Sequence, residues 1–261
     1  MVAAHLRVAL LPLVAALAAA PATALAQQKK TARPACGIRA LPLAEGSQWT
    51  YQYYTPPDVQ LPSGLRVQDP PTATVKVLSV AKNGDKTVIS LEESYRKVVV
   101  KTQLECDKNG LIIPPDSFFF AGQPGGGLQT TLGKIERKGE TNVFAGGGFS
   151  GEAFEELKTT ATREPSVGSG AVLVPAKLEM ERKMVVGGSR ESVETVAASV
   201  SASRLTINLT GRTTLDSSPD KPFNILQLDV VMYFAPDVGV VQVRNSLGQG
   251  WKLAEHKVGG Q

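Results

Sequence analysis

The residue types that do chemistry are scarce in this chain, and their scarcity excludes most reactions. The sequence holds two histidines, His5 in an apolar leader and His256 close to the C-terminus. Neither a histidine-rich zinc site nor a Ser-His-Asp triad is expected from that pair, and no Gly-x-Ser-x-Gly elbow presents a nucleophile. Carboxylates group as Glu92 and Glu93, as Glu152, Glu155 and Glu156, and as Glu179 and Glu181. A glycosidase needs two of them about 5–10 Å apart across a sugar cleft. On strands, residues two apart share a face, so Glu179 with Glu181 reads first as a solvated face. The glycine triplets at 125–127 and 146–148 lack the Gly-Lys-Ser/Thr of a phosphate loop. Asp107 with Asn109, and Asp216 with Asp220, fall short of a calcium loop and fit turn chemistry. The expectation is no enzyme, no metal and no cofactor.

What remains is aromatic. Trp49, Tyr51 and Tyr53 line one face of a strand by the two-residue period. Phe118, Phe119 and Phe120 stand beside a glycine loop, where an extended backbone cannot turn all three to one side. Such residues usually build core. If they instead wall a concave cavity, its occupant is a lipid-like ligand. These six are the candidate ligand-binding residues. Cys36 and Cys106 are the two cysteines. They are too far apart for a Cys-x-x-Cys redox unit, and an even count in an exported chain points to one disulfide.

The elements that must carry these residues read as β throughout. The chain has 261 residues, 42% hydrophobic, 20% charged and 6% aromatic, which excludes collagen, a coiled coil and a disordered chain. Residues 47–54 alternate and are rich in aromatics. Residues 72–80 and 86–92 flank Asn83-Gly84-Asp85, a strong hairpin signal. Residues 152–162 fit either a short helix or a strand. Further strands are expected at 171–186, 192–200, 204–215, 223–234, 238–243 and 251–256, with turns at Gly187-Gly188 and Ser201-Ala202. Ten to twelve strands at this spacing predict a mainly β fold. Its form is a curved antiparallel sheet, closing as a half-barrel, barrel or sandwich, with at most one or two short helices.

Residues 1–26 read as a signal peptide. Arg7 precedes an apolar run over 8–20, Pro21 breaks it, and Ala24-Leu25-Ala26 is a small-x-small cleavage site. The run is too short to span a membrane, and the nearest cysteine, Cys36, sits too far into polar sequence for lipidation. Residues 27–40 are expected as a flexible N-terminal tail. Residues 41–261 are expected as a single β-rich domain, with two similar halves joined near 121–150 as the alternative division. The cleaved chain would be periplasmic or extracellular and carry no transmembrane anchor. A net charge of +4, spread along the sequence, predicts no nucleic-acid partner.

Three segments carry a resemblance. Leu43, Gly46, Trp49 and Tyr51 fit an opening P-L-x-x-G-x-x-W-x-Y. Residues 194–207 fit E-x-V-x-V-P-A-G-x-F-x-A-L-x-V, with Ser199 and Val200 in place of its Pro-Ala. Residues 233–243 fit a Y-x-A-P-G-V-G-L-V hairpin, with Asp237 in place of its first glycine. Together they resemble a broad group of secreted bacterial β-rich proteins of unknown function. Some members of that group are similar in fold to periplasmic lipoprotein carriers, with a curved sheet over a hydrophobic face. The resemblance implies no catalytic residues. The hairpin has its own physics: Pro236 fixes φ at the first turn position, Gly239 can take φ > 0, and Tyr233 flanks the reversal. The expected function is therefore an exported, non-enzymatic envelope protein that binds or carries a hydrophobic ligand or a lipoprotein-like partner. The alternative is a structural or assembly factor that docks another envelope protein through a sheet face or edge. A hydrolase using acidic residues is the distant third.

Overall fold

The computed structural model describes residues 35–56, 71–96, 98–115, 117–122, 130–139, 142–163, 174–246 and 248–259. The expected signal peptide, and the first glycine triplet at 125–127, lie outside them.

Among the described residues, twelve strands form one open antiparallel sheet. The chain enters at its middle. Strand β1 (Gln48–Tyr54) is followed outward by β2 (Thr72–Asn83), β3 (Lys86–Tyr95), β4 (Val98–Asp107) and the short β5 (Gly110–Ile112) at one edge. The chain then passes through a one-turn helix, α1 (Phe118–Ala121), to β6 (Thr130–Lys138) at the opposite edge. It returns inward through β7 (Glu152–Arg163), β8 (Val174–Glu194), β9 (Ser199–Leu215), β10 (Pro222–Ala235) and β11 (Gly239–Asn245). The last strand, β12 (Gly250–Lys257), pairs with β1, so the first and last strands meet at the centre of the sheet.

The alternation seen in the sequence sets the inner face. Ala73, Val75 and Val77 of β2 are buried, as are Ile89 and Leu91 of β3 and Leu205, Ile207 and Leu209 of β9. The sheet curls without closing. Asn142, after β6, donates its side-chain amide to Leu111 O of β5 at 2.8 Å, so the two edges approach there. The turn at Gly84-Asp85 is the expected hairpin, with Asn83 paired to Lys86 and Gly84 at φ 59°.

Three local expectations change. Residues 152–162 are strand, not helix, because β7 pairs along its length with β6 and β8. Gly187-Gly188 is not a turn. It sits at a register shift inside β8, between Val186 and Arg190, where an irregularity bends a strand without ending it. The turn comes later, at 195–198 rather than Ser201-Ala202. There the Thr195 hydroxyl donates to Ala198 O (2.7 Å) and accepts from Ala198 N–H (3.1 Å). Beyond the bend the β8–β9 hairpin folds over the outer face of the sheet. Val196 N–H bonds Leu253 O of β12 at 2.9 Å. Glu194 pairs with Lys252, and its carbonyl accepts from the Gln242 amide.

The third change narrows the tail expected over 27–40. Ala35 and Ile38 are buried in the core, and Ala35 N–H bonds Leu43 O. Cys36 is bonded to Cys106 of β4, a separation of 70 residues. A loop of that size confers about 4 kcal/mol in the chain-entropy model. Changing both cysteines to alanine should therefore lower the unfolding free energy by about 4 kcal/mol in urea titrations.

Candidate functional site

The two aromatic groups singled out from the sequence meet. Glu93 of β3 falls in register with Ile89 and Leu91, on the inner face, and is buried. Its carboxylate accepts from Phe118 N–H at 2.9 Å, from the Ser117 hydroxyl at 3.1 Å and from the Thr102 hydroxyl at 3.2 Å. Ser117 also caps α1, accepting from Phe119 N–H. At the other end Gly122 takes φ 67° and returns its N–H to Phe118 O at 2.7 Å. A Cβ on Gly122 would run into the Val243 side chain, so the chain lies directly on β11.

Fixed at both ends, α1 is a plug on the inner face. Phe118 lies 4.9 Å from the Tyr51 ring and Phe119 meets Trp49 edge-on at 6.2 Å. Phe120 lies 3.9 Å beneath the Arg182 guanidinium. All three phenylalanines are at most 1% exposed. A strand would have turned one of them outward. A single helical turn inside a curled sheet finds a wall on every side.

Trp49 and Tyr51 have a second task. The Trp49 indole donates to Val238 O at 2.5 Å and the Tyr51 hydroxyl donates to Val240 O at 3.0 Å. Both acceptors belong to the β10–β11 hairpin. The opening W-x-Y and the Tyr233-to-Gly239 segment, remote in sequence, therefore dock on each other. Gly239 takes φ 100°, and a Cβ there would meet the Trp49 indole nitrogen at 2.9 Å. Asp237 sits at φ 63° in place of a glycine. Its carboxylate pairs with Arg39, and its N–H bonds Arg39 O at 2.8 Å. Pro236 lies in the same turn, while Tyr233 is buried with its hydroxyl 3.5 Å from Glu191.

Burial raises the Tyr51 hydroxyl well above its usual value, and the charge of Glu93 adds to the shift. The unfolded chain gives up this proton above about pH 10, whereas the folded chain keeps it. Stability is thus whole below pH 10 and falls as pH rises beyond it. Tyr51→Phe should lose about 1 kcal/mol at neutral pH and show a shallower decline above pH 10 in pH-resolved denaturation.

Next to the plug the inner face stays open. A cleft of about 410 Å³ is walled by Tyr53, Tyr95, Trp251, Leu228, Val230 and Val243, with Gly122 at its base and Arg96 and Arg244 also lining it. Tyr53 and Tyr95 both meet Trp251 edge-on, at 5.2 and 5.6 Å. Of the six aromatic candidates, Tyr53 lines this cleft, and the other five are packed against one another or against Arg182. Tyr95, Trp251, Arg96 and Arg244 were not singled out in the sequence. Trp251 was the readable one, a tryptophan on the strand that pairs with Tyr53.

No family model and no curated protein matches the sequence. Among solved structures the chain is similar to two bacterial proteins. One, from Bacteroides fragilis, is named as an exported protein with a YmcC-like fold. It superposes with a TM-score of 0.45 at 12% identity, over 83% of this chain and 98% of its own. The other, from Parabacteroides distasonis, is named as a lipoprotein and gives 0.48 at 15%, over 84% and 99%.

Three of the carboxylates that raised hydrolysis have structural partners. Glu93 anchors α1, Glu155 is buried between Arg137 and Arg182, and Glu179 pairs with Lys158 and Arg212. Those two cations hold the Glu179 carboxyl below its usual value. Among the described residues, no group of three or more His, Cys, Asp or Glu could hold a metal.

Proposed function

We propose that this is an exported envelope protein without catalytic activity, which binds one small hydrophobic molecule in the cleft beside α1. The observation that carries the reading is the cleft itself: about 410 Å³ of inner face that the chain's own phenylalanines leave uncovered. That volume falls in the range of about 300–1,000 Å³ common to small-molecule sites. Three aromatic side chains from β1, β3 and β12 form its wall, and a few polar groups converge on it, as ligand sites require. The leader over 1–26 supports export, and the engagement of Glu93, Glu155 and Glu179 in a cap and in ion pairs supports a binding role.

Leu228 is half-buried and faces the cleft. Leu228→Trp should fill the space and weaken binding of the neutral fluorophore N-phenyl-1-naphthylamine at least tenfold, with little change in melting temperature. Binding that is unaffected by this substitution would rule the cleft out.

A second reading has one observation of its own. Strand β5 pairs with β4 only at Glu105, Cys106 and Asp107, and Val98 and Val99 farther along β4 are exposed. An extended segment of an envelope partner could add to that edge.

A further inference from the structure

We infer that the β8–β9 hairpin is a clasp on the outer face that holds walls of the cleft together, so that ligand binding and docking of the hairpin are coupled. The inference deepens the reading of the cleft as a ligand site and rests on it. β8 stays paired with β7 up to Val185, and β9 with β10 up to Ser203. Over 190–194 and 199–202 the two strands have only each other as strand neighbours among the described residues. A lone two-stranded ribbon is marginal in water, so its docking is what holds it. Val193 and Ala202 on its underside are buried, and so is Tyr233 beneath it. The ribbon crosses three strands in turn. Glu191 meets the Tyr233 hydroxyl of β10 at 3.5 Å. The Glu194 carbonyl accepts from Gln242 of β11 at 3.3 Å, while its carboxylate pairs with Lys252 of β12 at 3.2 Å. Val196 N–H ends the series on Leu253 O of β12 at 2.9 Å.

The ribbon fastens β11 to β12 where their own ladder ends. That ladder has three pairs, Gln242 to Arg244 with Gly250 to Lys252, and it stops at Gln242 and Lys252. Those are the two side chains that Glu194 ties. Successive residues of a strand face opposite sides, so their neighbours Val243 and Trp251 stand on the inner face, where they wall the cleft. With the ribbon lifted, the short ladder alone keeps Val243 beside Trp251. The hinge lies at Gly187-Gly188, in the register shift where the ribbon leaves the sheet. Packing demands neither glycine. A Cβ on Gly188 would meet nothing within 4 Å, one on Gly187 would come no nearer than 3.5 Å to a neighbour, and neither residue has positive φ. A glycine pair weakens a strand, and what it provides here is backbone freedom at the base of a movable element.

Coupling of two binding events is reciprocal, so it is measurable from both ends. Val196→Pro deletes the N–H given to Leu253, at the second position of the 195–198 turn, where proline is favoured. Glu194→Gln removes the ion pair with Lys252. Together they should weaken binding of N-phenyl-1-naphthylamine to the full chain by roughly fivefold or more, the low end of coupling between linked sites, with little change in melting temperature. In the native chain, saturating fluorophore should slow amide hydrogen exchange over 189–199, followed by mass spectrometry. In Leu228→Trp, the same addition should leave that exchange as it was. Unchanged affinity in the double variant would overturn the inference and leave the cleft standing. So would unchanged exchange of the hairpin in the native chain on binding. A native chain that does not bind the fluorophore would overturn the cleft reading itself.

Discussion

Glu155→Ala should lower the unfolding free energy by roughly 3–5 kcal/mol, the cost of breaking a buried charge pair from one side. Glu155 and Arg182 are each 1% exposed, and the carboxylate receives both the Arg182 fork and the half-buried Arg137. Burial pulls the Arg182 guanidinium down to about 9, and burial together with the charge of Arg182 pulls Arg137 down to about 10. Both stay cationic at neutral pH, so the carboxylate is the compensation that alanine removes. The geometry also fixes what should rescue the loss. Arg182 lies over Phe120, in a wall that includes Met180 and Met184. Glu155→Leu with Arg182→Met replaces the pair by apolar groups of similar volume, and Arg137 can still reach solvent. The double variant should therefore be more stable than Glu155→Ala. Urea titrations of the three chains decide it, and a loss under about 1 kcal/mol in the single variant would contradict the account.

Phe119→Ala should cost about 3–5 kcal/mol, the usual range for a fully buried phenylalanine. It should also open a new apolar space on the inner face. The size of the cost depends on whether the site can collapse. Here it cannot easily do so, because α1 is tied to Glu93 at one end and laid on β11 at Gly122 at the other. Trp49, in edge contact with Phe119, reports the change, so its emission should shift. The variant should take up N-phenyl-1-naphthylamine at a second site that Leu228→Trp does not block. If stability falls but no second site appears, the plug is freer than its anchors suggest.

Much of the architecture could be read from residue order. The period-two burial of Ala73, Val75 and Val77, and the Asn83-Gly84-Asp85 turn, follow from local physics and stand as expected. So does the pairing of Cys36 with Cys106. The β8–β9 turn was misplaced because glycines mark bends as readily as turns. At Gly187-Gly188 the strand carries on through a register shift, and the reversal rests on the Thr195 hydroxyl instead. The three phenylalanines defeat a local rule for a similar reason. Whether a residue faces inward depends on what surrounds the segment, and a crossover inside a curled sheet has no outward side.

The cleft was the least legible part. Its walls come from β1, β3, β10, β11 and β12, and no period in the sequence brings Tyr95 to Trp251. Glu93 and Glu155 did carry a signal: each is an acidic residue at an inward position of an alternating strand, which marks a buried charge with a partner. Trp49 and Tyr51 were read as sharing one face of their strand and as candidate ligand-binding residues; both are buried. What could not be read was the hairpin they hold, about 190 residues away.

The central claim is that the chain fills much of its own inner face and leaves the cleft beside α1 for one small molecule. Native mass spectrometry of the protein purified from its expressing cells, paired with organic extraction of the same sample, tests it most directly. The account predicts one bound, lipid-sized mass per chain, recovered in the extract and lost from Leu228→Trp. A clean unliganded mass, with no uptake of offered N-phenyl-1-naphthylamine, would contradict it.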